Sequence, residues 1–167
     1  MPVIVLFYKS NGMGMREIFQ LQAVYSLTLM FFEIPTGYFA DRVGRKTSIL
    51  MGTFAGVAGY LVYSLSFGFW SFVIAEVALG IGQSLVSGAD SAMLYDTLLA
   101  GKQSDKYTRF EGRITSAGNF AEAFAGIIGG LLAVSSLRTP FYVQAAVAAI
   151  AIPAAVSNCA VSNRGKP

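Results

Sequence analysis

The stretch of sequence that decides the fold runs Gly37-Tyr38-Phe39-Ala40-Asp41-Arg42-Val43-Gly44-Arg45-Lys46. It is a short polar segment between two apolar stretches that are each long enough to cross a bilayer. Its charged side chains are costly to place in hydrocarbon, so we expect them at the edge of a membrane. Its glycines allow a sharp turn or a close approach of two backbones. The segment therefore predicts two membrane-spanning helices joined by a tight polar connection.

The composition of the chain also favours a membrane protein. Of the 167 residues, 54% are hydrophobic and 13% are charged, and the mean hydropathy is +0.58. An average soluble domain has about 25% charged residues. A soluble protein of this length needs a polar surface, and this chain has too few polar residues to make one. We therefore predict an all-α membrane protein in preference to an apolar-rich soluble bundle.

Apolar runs of about 20 residues mark the candidate spans. The sequence predicts five full spans, at about residues 18–40, 47–67, 69–99, 114–134 and 140–156. Residues 1–8 are apolar but too short to cross, so we expect them to be the outer end of a helix whose beginning is absent. Residues 157–167 are expected to form a polar tail.

The basic residues predict the orientation of the chain. Three segments, 41–47, 100–113 and the polar tail, hold nine of the twelve lysines and arginines, and all three lie on one side if every run crosses once. The positive-inside rule places that side in the cytoplasm. We therefore predict a multi-pass cell membrane protein with loops 41–47 and 100–113 cytoplasmic. Because this asymmetry accounts for the net charge of +3, the charge does not indicate nucleic-acid binding.

The pattern Gly-x-x-x-Asp-x-x-Gly-Arg-Lys at residues 37–46 resembles the signature between the second and third membrane helices of the major facilitator superfamily. Residues 33–37 (Glu-Ile-Pro-Thr-Gly) and 87–96 (Ser-Gly-Ala-Asp-Ser-Ala-Met-Leu-Tyr-Asp) resemble segments of bacterial members of the multidrug or uncharacterised type. The resemblance covers residues 2–156. It implies one half of a major-facilitator-type helical bundle, the amino-terminal half of a transporter, with a partial helix one and five full transmembrane helices.

The same resemblance implies the partners of the chain. In the family, two six-helix halves enclose a substrate cavity near the middle of the bilayer. The expected partners are the lipid bilayer, a small-molecule substrate, and either the missing carboxy-terminal six-helix half or a second copy of the chain. A bacterial inner membrane is the expected location.

Two segments depart from the family pattern. Many members carry Arg-x-x-x-Gly-x-Gly in helix four, where the arginine is linked with proton coupling, but this chain has Glu76 in place of that arginine. Antiporters commonly carry Gly-Pro-x-x-Gly-Gly in helix five, but residues 125–130 lack the proline. Both departures weaken the interpretation as an ordinary drug/proton antiporter. We expect Glu76 to lie close to the outer surface, where water can solvate it.

The polar connection contains a predicted cytoplasmic latch. Asp41 and Arg45 are four residues apart, close enough to pair on a helical face or across a helix end. Asp96, at the cytoplasmic end of the fourth helix, is expected at the same depth. In the family such a cluster responds to conformational switching, and a plain structural clamp is the alternative. The latch motif consists of Gly37, Asp41, Arg42, Gly44, Arg45, Lys46 and Asp96.

Ionisable groups inside the predicted spans are candidates for binding a proton or the substrate, because an ionised side chain is costly there. Glu122 lies about 12 Å from the inner edge at about 1.5 Å per residue, which places it near the midplane. Asn119 shares its helical face. Glu33 and Asp90 complete the candidates, and for these residues structural hydrogen bonding is the alternative.

The predicted function is secondary active transport of a small solute by alternating access, coupled to an ion gradient, with efflux favoured over uptake. The alternative is a truncated fragment that transports nothing and only associates with partner helices. The sequence contains no phosphate-binding Gly-x-x-x-x-Gly-Lys-Ser/Thr loop, no histidine and a single cysteine. We therefore predict neither an enzyme nor a cofactor or metal site.

Overall fold

The structure, a computed structural model, describes residues 4–134 and 136–162, with side-chain surroundings as far as residue 150. Every regular element within these ranges is helical, which confirms the all-α prediction. The helices are α1 (Ile4–Ser10), α2 (Met15–Val43), α3 (Arg45–Leu65), α4 (Phe69–Ala100), α5 (Tyr107–Ala133) and α6 (Thr139–Ser162). A short 3-10 turn, Ser104–Lys106, leads into α5.

Four helical segments of the described chain are long and apolar enough to cross a membrane: Met15–Val43, Arg45–Leu65, Phe69–Ala100 and Ser104–Ala133. They overlap the first four predicted spans, and the fourth segment begins ten residues before the predicted span at 114–134. The fifth predicted span coincides with α6, which has 24 residues and whose apolar part with described side chains is Thr139–Ile150. The partial first helix corresponds to the seven-residue α1.

Helices α3 and α4 run in opposite directions. They pack closely because glycines replace larger side chains along their contact. A β-carbon built on Gly52 would lie 2.7 Å from the carbonyl oxygen of Gly82, and one built on Gly59 would lie 3.3 Å from the carbonyl oxygen of Ala75. Contacts this short leave no room for a larger residue, which is how small residues join helices in membranes. Gly56 differs, since a β-carbon there would meet nothing within 4 Å.

The remaining contacts show that successive helices reverse direction. Helix α2 runs parallel to α4, since Thr28 lies against Gly80 and Gly37 lies against Gly88. Helix α6 begins where α3 ends, with Phe141 stacked on Tyr63. The chain therefore alternates between two ends of the bundle. We call them the Arg45 end, with the α2–α3 and α4–α5 connections, and the Arg138 end, with the α1–α2, α3–α4 and α5–α6 connections.

The two predicted loops at the Arg45 end are shorter than the sequence indicated. Helix α2 continues to Val43 and α3 begins at Arg45, so Gly44 alone lies outside the helices of segment 41–47. Gly44 adopts φ +102°, a conformation that glycine reaches without a steric penalty, and the chain turns within one residue. In segment 100–113 only residues 101–103 lie outside helices.

The predicted polar tail is also partly helical. Residues 157–162 belong to α6, so the prediction of a tail from residue 157 is wrong for these six positions. The alanine-rich run before them contains strong helix formers, and the helix continues past the predicted end of the span. Residues 163–167 of the predicted tail, and residues 1–3 of the predicted first helix, lie outside the described residues.

Helix α5 packs less closely than the other long helices. None of its residues is buried, whereas α4 buries residues along much of its length. At the Arg45 end, Tyr107 of α5 contacts the ring of Tyr95 on α4 with centroids 5.7 Å apart. Beyond that end, α5 presents most of its side chains outward.

Candidate functional site

A cluster of three charged side chains, Asp41, Arg45 and Asp96, lies at the Arg45 end, and we call it the charge cluster. The Arg45 Nη2 atom lies 3.6 Å from Asp41 Oδ1, and its Nη1 atom lies 2.6 Å from Asp96 Oδ2. Arg45 Nη1 also donates a hydrogen bond to the carbonyl oxygen of Ala92. The structure thus brings together the three residues that the sequence placed at one depth.

Three helix ends position the charge cluster. Asp41 is in the last turn of α2, Arg45 is the first residue of α3 and Asp96 is in the last turns of α4. The Arg45 side chain is 25% exposed, and those of Asp41 and Asp96 are 64% and 59% exposed. Ion pairs that are this exposed are screened by salt and contribute about 0–1 kcal/mol each. The cluster therefore joins α3 to α4 through a contact that is easily broken and remade.

The other residues of the latch motif surround the charge cluster. Gly37 allows α2 to approach α4, since a β-carbon on Gly88 would lie 3.6 Å from its backbone. The Arg42 guanidinium lies over the Tyr38 ring, 5.0 Å from the centroid. Lys46 is half-buried in the first turn of α3. The motif thus folds as a helix end, a one-residue turn and a helix start.

The four candidate proton or substrate residues lie on three helices and are exposed. Glu33 is on α2, Asp90 on α4, and Asn119 and Glu122 on α5. Within the described residues no hydrogen bond or ion pair joins them to one another. Glu122 is exposed on α5, near the middle of that helix.

A second polar site is buried toward the Arg138 end and consists of Tyr8, Tyr63 and Glu76. We call it the tyrosine–glutamate site. The Tyr8 hydroxyl donates a hydrogen bond of 2.7 Å to Glu76 Oε1, and the hydroxyls of Tyr8 and Tyr63 are hydrogen-bonded to each other. Glu76 is 3% exposed, and both tyrosines are fully buried. The expectation that water solvates Glu76 is wrong, because α1 and α3 cover it.

Aromatic rings enclose the tyrosine–glutamate site. Phe72 and Phe141 stack on the Tyr63 ring, each with a centroid distance of 5.4 Å. Phe72 also contacts the Tyr8 ring edge-on at 5.5 Å. The hydrogen-bond partner of Glu76 is the Tyr8 hydroxyl, whereas the ion pairs of Arg45 with Asp41 and Asp96 lie at the other end of the bundle. Glu76 is therefore a carboxyl in a dry aromatic enclosure with hydroxyl partners.

Arg138 closes this end of the bundle. Its guanidinium donates hydrogen bonds to the carbonyl oxygens of Ser64, at 2.8 Å, and Ser66, at 3.2 Å, and to Asn11 Oδ1 at 3.4 Å. It also covers the Phe67 ring, 3.8 Å from the centroid. Arg138 thereby ties the start of α6 to the end of α3 and to the α1–α2 connection.

Sequence reasoning did not find the tyrosine–glutamate site. Tyr8 and Tyr63 are 55 residues apart, and Tyr8 and Glu76 are 68 residues apart, so no local spacing joins them. The available signal was the departure at Glu76 itself, an acidic residue inside an apolar run. Among the described residues no group of three or more His, Cys, Asp or Glu side chains is placed to hold a metal ion.

Comparison with known proteins identifies the family. The sequence profile of the Major Facilitator Superfamily matches residues 1–161. The chain is 34% identical over 73 residues to the inner membrane transport protein YajR of Escherichia coli (strain K12), covering 44% of this chain and 16% of YajR. It is 22% identical over 150 residues to the quinolone resistance protein NorA of Staphylococcus aureus (strain MRSA252), covering 90% of this chain and 38% of NorA.

A third relative is the uncharacterized MFS-type transporter YxaM of Bacillus subtilis (strain 168), 27% identical over 88 residues, which are 53% of this chain and 22% of YxaM. The chain spans less than two fifths of the length of these bacterial relatives. The profile match extends over nearly all of it, across the apolar helices and the charged α2–α3 turn. The chain therefore belongs to the major facilitator superfamily.

Proposed function

We propose that this chain forms the amino-terminal half of a secondary active transporter that moves a small solute across the cell membrane by alternating access. The observation that carries the proposal is the charge cluster, in which Arg45 at the start of α3 pairs with Asp96 near the end of α4. An exposed pair worth about 0–1 kcal/mol can be made in one conformation and broken in the other without trapping either. A latch needs this property, whereas a permanent clamp does not.

In this proposal the Arg45 end faces the cytoplasm of a bacterial cell. The positive-inside rule supports that orientation, since Arg42, Arg45 and Lys46 lie at this end together with the basic residues of segment 100–113. The Arg138 end then faces outward. Formation of the charge cluster would hold the cytoplasmic ends of α3 and α4 together, and its rupture would accompany opening to the cytoplasm.

Glu122 is our first candidate for coupling transport to a proton gradient. It is exposed in this chain, near the middle of the 27-residue α5, and Asn119 lies one turn before it. A companion half that covered this face of α5 would take the carboxyl out of water, and burial favours the neutral form of an acid. Glu33 and Asp90 are further candidates on α2 and α4. Movement of the companion half would then expose and cover these groups in turn.

We further propose that the transported solute is amphipathic and that the direction is efflux. The similarity to a protein named for quinolone resistance supports this direction. The proposed partners are the lipid bilayer, the solute, and either a carboxy-terminal six-helix half or a second copy of the chain. The proposed activity is transport without enzymatic chemistry and uses no cofactor.

A second candidate function is association with partner helices without transport. The observation that favours it is the outward face of α5, which buries no residue within the chain. Two copies, or a companion chain, would cover this face without creating a working cavity. The two candidates therefore differ in whether covering α5 produces solute movement.

The test is solute movement in inverted membrane vesicles that contain the chain, either alone or together with a six-helix carboxy-terminal half. A fluorescent amphipathic cation serves as the probe, and an imposed pH gradient drives uptake. We expect uptake only with the companion half, and we expect Asp96→Asn to lower the initial rate about fivefold or more, a loss of about 1 kcal/mol at the transition state. Asp105→Asn, which neutralises an exposed acid in the 3-10 turn, is the matched control.

Two outcomes would contradict this proposal. Absence of uptake in every combination, with both chains folded in the membrane, would favour association without transport. Equal rates for Asp96→Asn and Asp105→Asn would remove the latch role. In the same vesicles, pH-driven uptake that Glu122→Gln leaves unchanged would exclude Glu122 as the coupling group.

A further inference from the structure

Glu76 has no role in the proposed transport mechanism, yet it is the most deeply buried acid among the described residues. It belongs to α4, its hydrogen-bond donor Tyr8 comes from α1, and Tyr8 is bonded in turn to Tyr63 of α3. Three helices therefore meet at one carboxyl. A buried acid without a cation requires an explanation, because an ionised carboxylate loses several kcal/mol of solvation even after the protein relaxes around it.

The hydrogen bonds at the site limit what can compensate for that loss. The Tyr8 hydroxyl donates a hydrogen bond to Glu76 Oε1, and the hydroxyls of Tyr8 and Tyr63 share a second hydrogen bond. Hydrogen bonds from neutral donors to a charged group contribute about 1.5–3 kcal/mol each. Every buried side-chain nitrogen and oxygen of the described residues already has a hydrogen-bond partner, so these residues offer Glu76 no further unpaired donor.

Among the described residues, the hydrogen-bond partner of Glu76 is a tyrosine and not a cation. Besides Tyr8 and Tyr63, the titratable side chains around Glu76 are Tyr25 on α2 and Tyr60 on α3, and α5 contributes Glu122 on the side of the same two tyrosines. The Arg138 guanidinium at the start of α6 contacts the Phe7 ring, 5.7 Å from its centroid, and donates to Asn11 and to two carbonyl oxygens.

Binding a proton neutralises the Glu76 carboxylate and so removes the solvation free energy that its hydrogen bonds do not replace. Protonating an ordinary glutamate at pH 7 requires about 4 kcal/mol, which is comparable to the several kcal/mol lost when its carboxylate leaves water without a cation. The balance therefore depends on whether the aromatic enclosure is closed and dry or open and wet.

We propose that Glu76, Tyr8 and Tyr63 form a proton-binding site that holds a proton when α1 is packed against α3 and α4 and releases it when α1 separates. The proton resides on the carboxyl of Glu76. In the closed site the neutral acid keeps its hydrogen bond with the Tyr8 hydroxyl, which is bonded in turn to the Tyr63 hydroxyl. In the open site water solvates the carboxylate, and the proton leaves to solvent. Proton uptake thereby stabilises the closed Arg138 end, whether or not the chain takes part in transport.

Infrared difference spectroscopy of the full chain in lipid nanodiscs tests this site directly. At neutral pH we expect a carbonyl band of a protonated carboxylic acid that Glu76→Gln removes. Glu111→Gln, the same chemical change at the Arg45 end, is the matched control and should leave that band in place. Tyr8→Phe should move the band to higher frequency, because the carboxyl loses its hydrogen-bond donor.

Thermal unfolding provides the second measurement. Because the folded chain holds a proton that a solvated glutamate releases, the wild type should lose stability as the pH rises above about 4.3, the pKa of a solvated glutamate. Glutamine resembles the neutral acid, so Glu76→Gln should fold and should flatten this dependence, whereas Glu111→Gln should retain it.

Three results would overturn the inference. The first is a neutral-pH spectrum without an acid band that depends on Glu76. The second is failure of Glu76→Gln to fold, which would show that the site requires the carboxylate. The third is a band that appears only when sodium ions are withdrawn, which would assign the site to a metal cation.

Discussion

The chain holds two acidic sites on one helix, and they are built in opposite ways. At the Arg45 end, Asp96 is 59% exposed and pairs with an arginine. Toward the Arg138 end, Glu76 is 3% exposed and pairs with tyrosines. A spacing of twenty residues corresponds to about 30 Å along α4, so the two sites lie toward opposite ends of the bundle.

The difference shows how water decides the chemistry of an acidic residue in a membrane protein. Where water reaches the carboxylate, a cationic partner adds little energy and the pair can form and break. Where water is excluded and no cation is present, the carboxyl must be neutral or strongly hydrogen-bonded. The same residue class thus serves as an ionic contact at one end and, in our proposal, as a proton-binding group at the other.

The largest contrast is expected from charge reversal at the two sites. Glu76→Arg places an unpaired cation in the aromatic enclosure, and removing the compensation of a buried charge is typically destabilising by about 3–5 kcal/mol. We expect a loss of most folded, monodisperse protein in size-exclusion chromatography. Asp96→Arg, at the exposed site, should retain folded protein near the wild-type yield. Equal yields for the two variants would contradict the assignment of Glu76 to a dry site.

The next effect concerns the α3–α4 contact, which packs the helix that carries both acids against α3. Gly52→Ala forces a methyl group to within 2.7 Å of the Gly82 carbonyl oxygen, and overpacking of this kind costs about 1–3 kcal/mol. Gly56→Ala is the matched control, because a β-carbon at that position would meet nothing within 4 Å. Detergent-denaturation curves should separate the two variants, and identical midpoints would show that the close contact is not rigid.

A smaller effect is expected at Arg138, which closes the end of the bundle toward which the buried site lies. Arg138→Lys keeps the charge but loses the planar group that bonds Ser64 and Ser66 and covers the Phe67 ring. We expect the free energy of unfolding to fall by about 1 kcal/mol. Arg113→Lys, on an exposed face of α5, provides the control. A larger loss in the control variant would contradict the capping role of Arg138.

The smallest effect is expected at the charge cluster. A double-mutant cycle with Arg45→Ala and Asp96→Ala should give a coupling energy of about 0.2–1 kcal/mol at low salt. That coupling should disappear near 1 M salt, where the Debye length is about 3 Å. A coupling that exceeds this range and resists salt would show a static clamp and remove the contrast with the buried site.

Much of the fold could be predicted because the positions of the helices depend on short-range sequence patterns. The apolar runs indicated the helices, and the four-residue spacing of Asp41 and Arg45 indicated their pairing. Asp96 could be assigned to the same cluster, because spans that cross in alternating directions bring the end of α4 beside the start of α3. The length of the polar connections was overestimated, because the sequence did not show that Gly44 alone turns the chain.

The buried site could not be predicted, because it depends on packing between distant segments. Nothing local to Tyr8 indicates that α1 places its hydroxyl on Glu76, 68 residues away. The position of Glu76 near one end of its span led us to expect that water solvates it. The packing of Phe72 and Phe141 against the two tyrosines excludes water there, and that packing is not visible in the sequence. The four candidates Glu33, Asp90, Asn119 and Glu122 remain predictions.

Cysteine labelling tests most directly whether the chain threads the membrane with its Arg45 end and its Arg138 end on opposite sides. After replacement of Cys159 by serine, single cysteines at Lys102, of the Arg45 end, and at Ser66, of the Arg138 end, are exposed to a membrane-impermeant thiol reagent in intact cells and in inverted vesicles. We predict labelling of Ser66→Cys in intact cells and of Lys102→Cys only in inverted vesicles. Labelling of both positions from the same side would contradict the account.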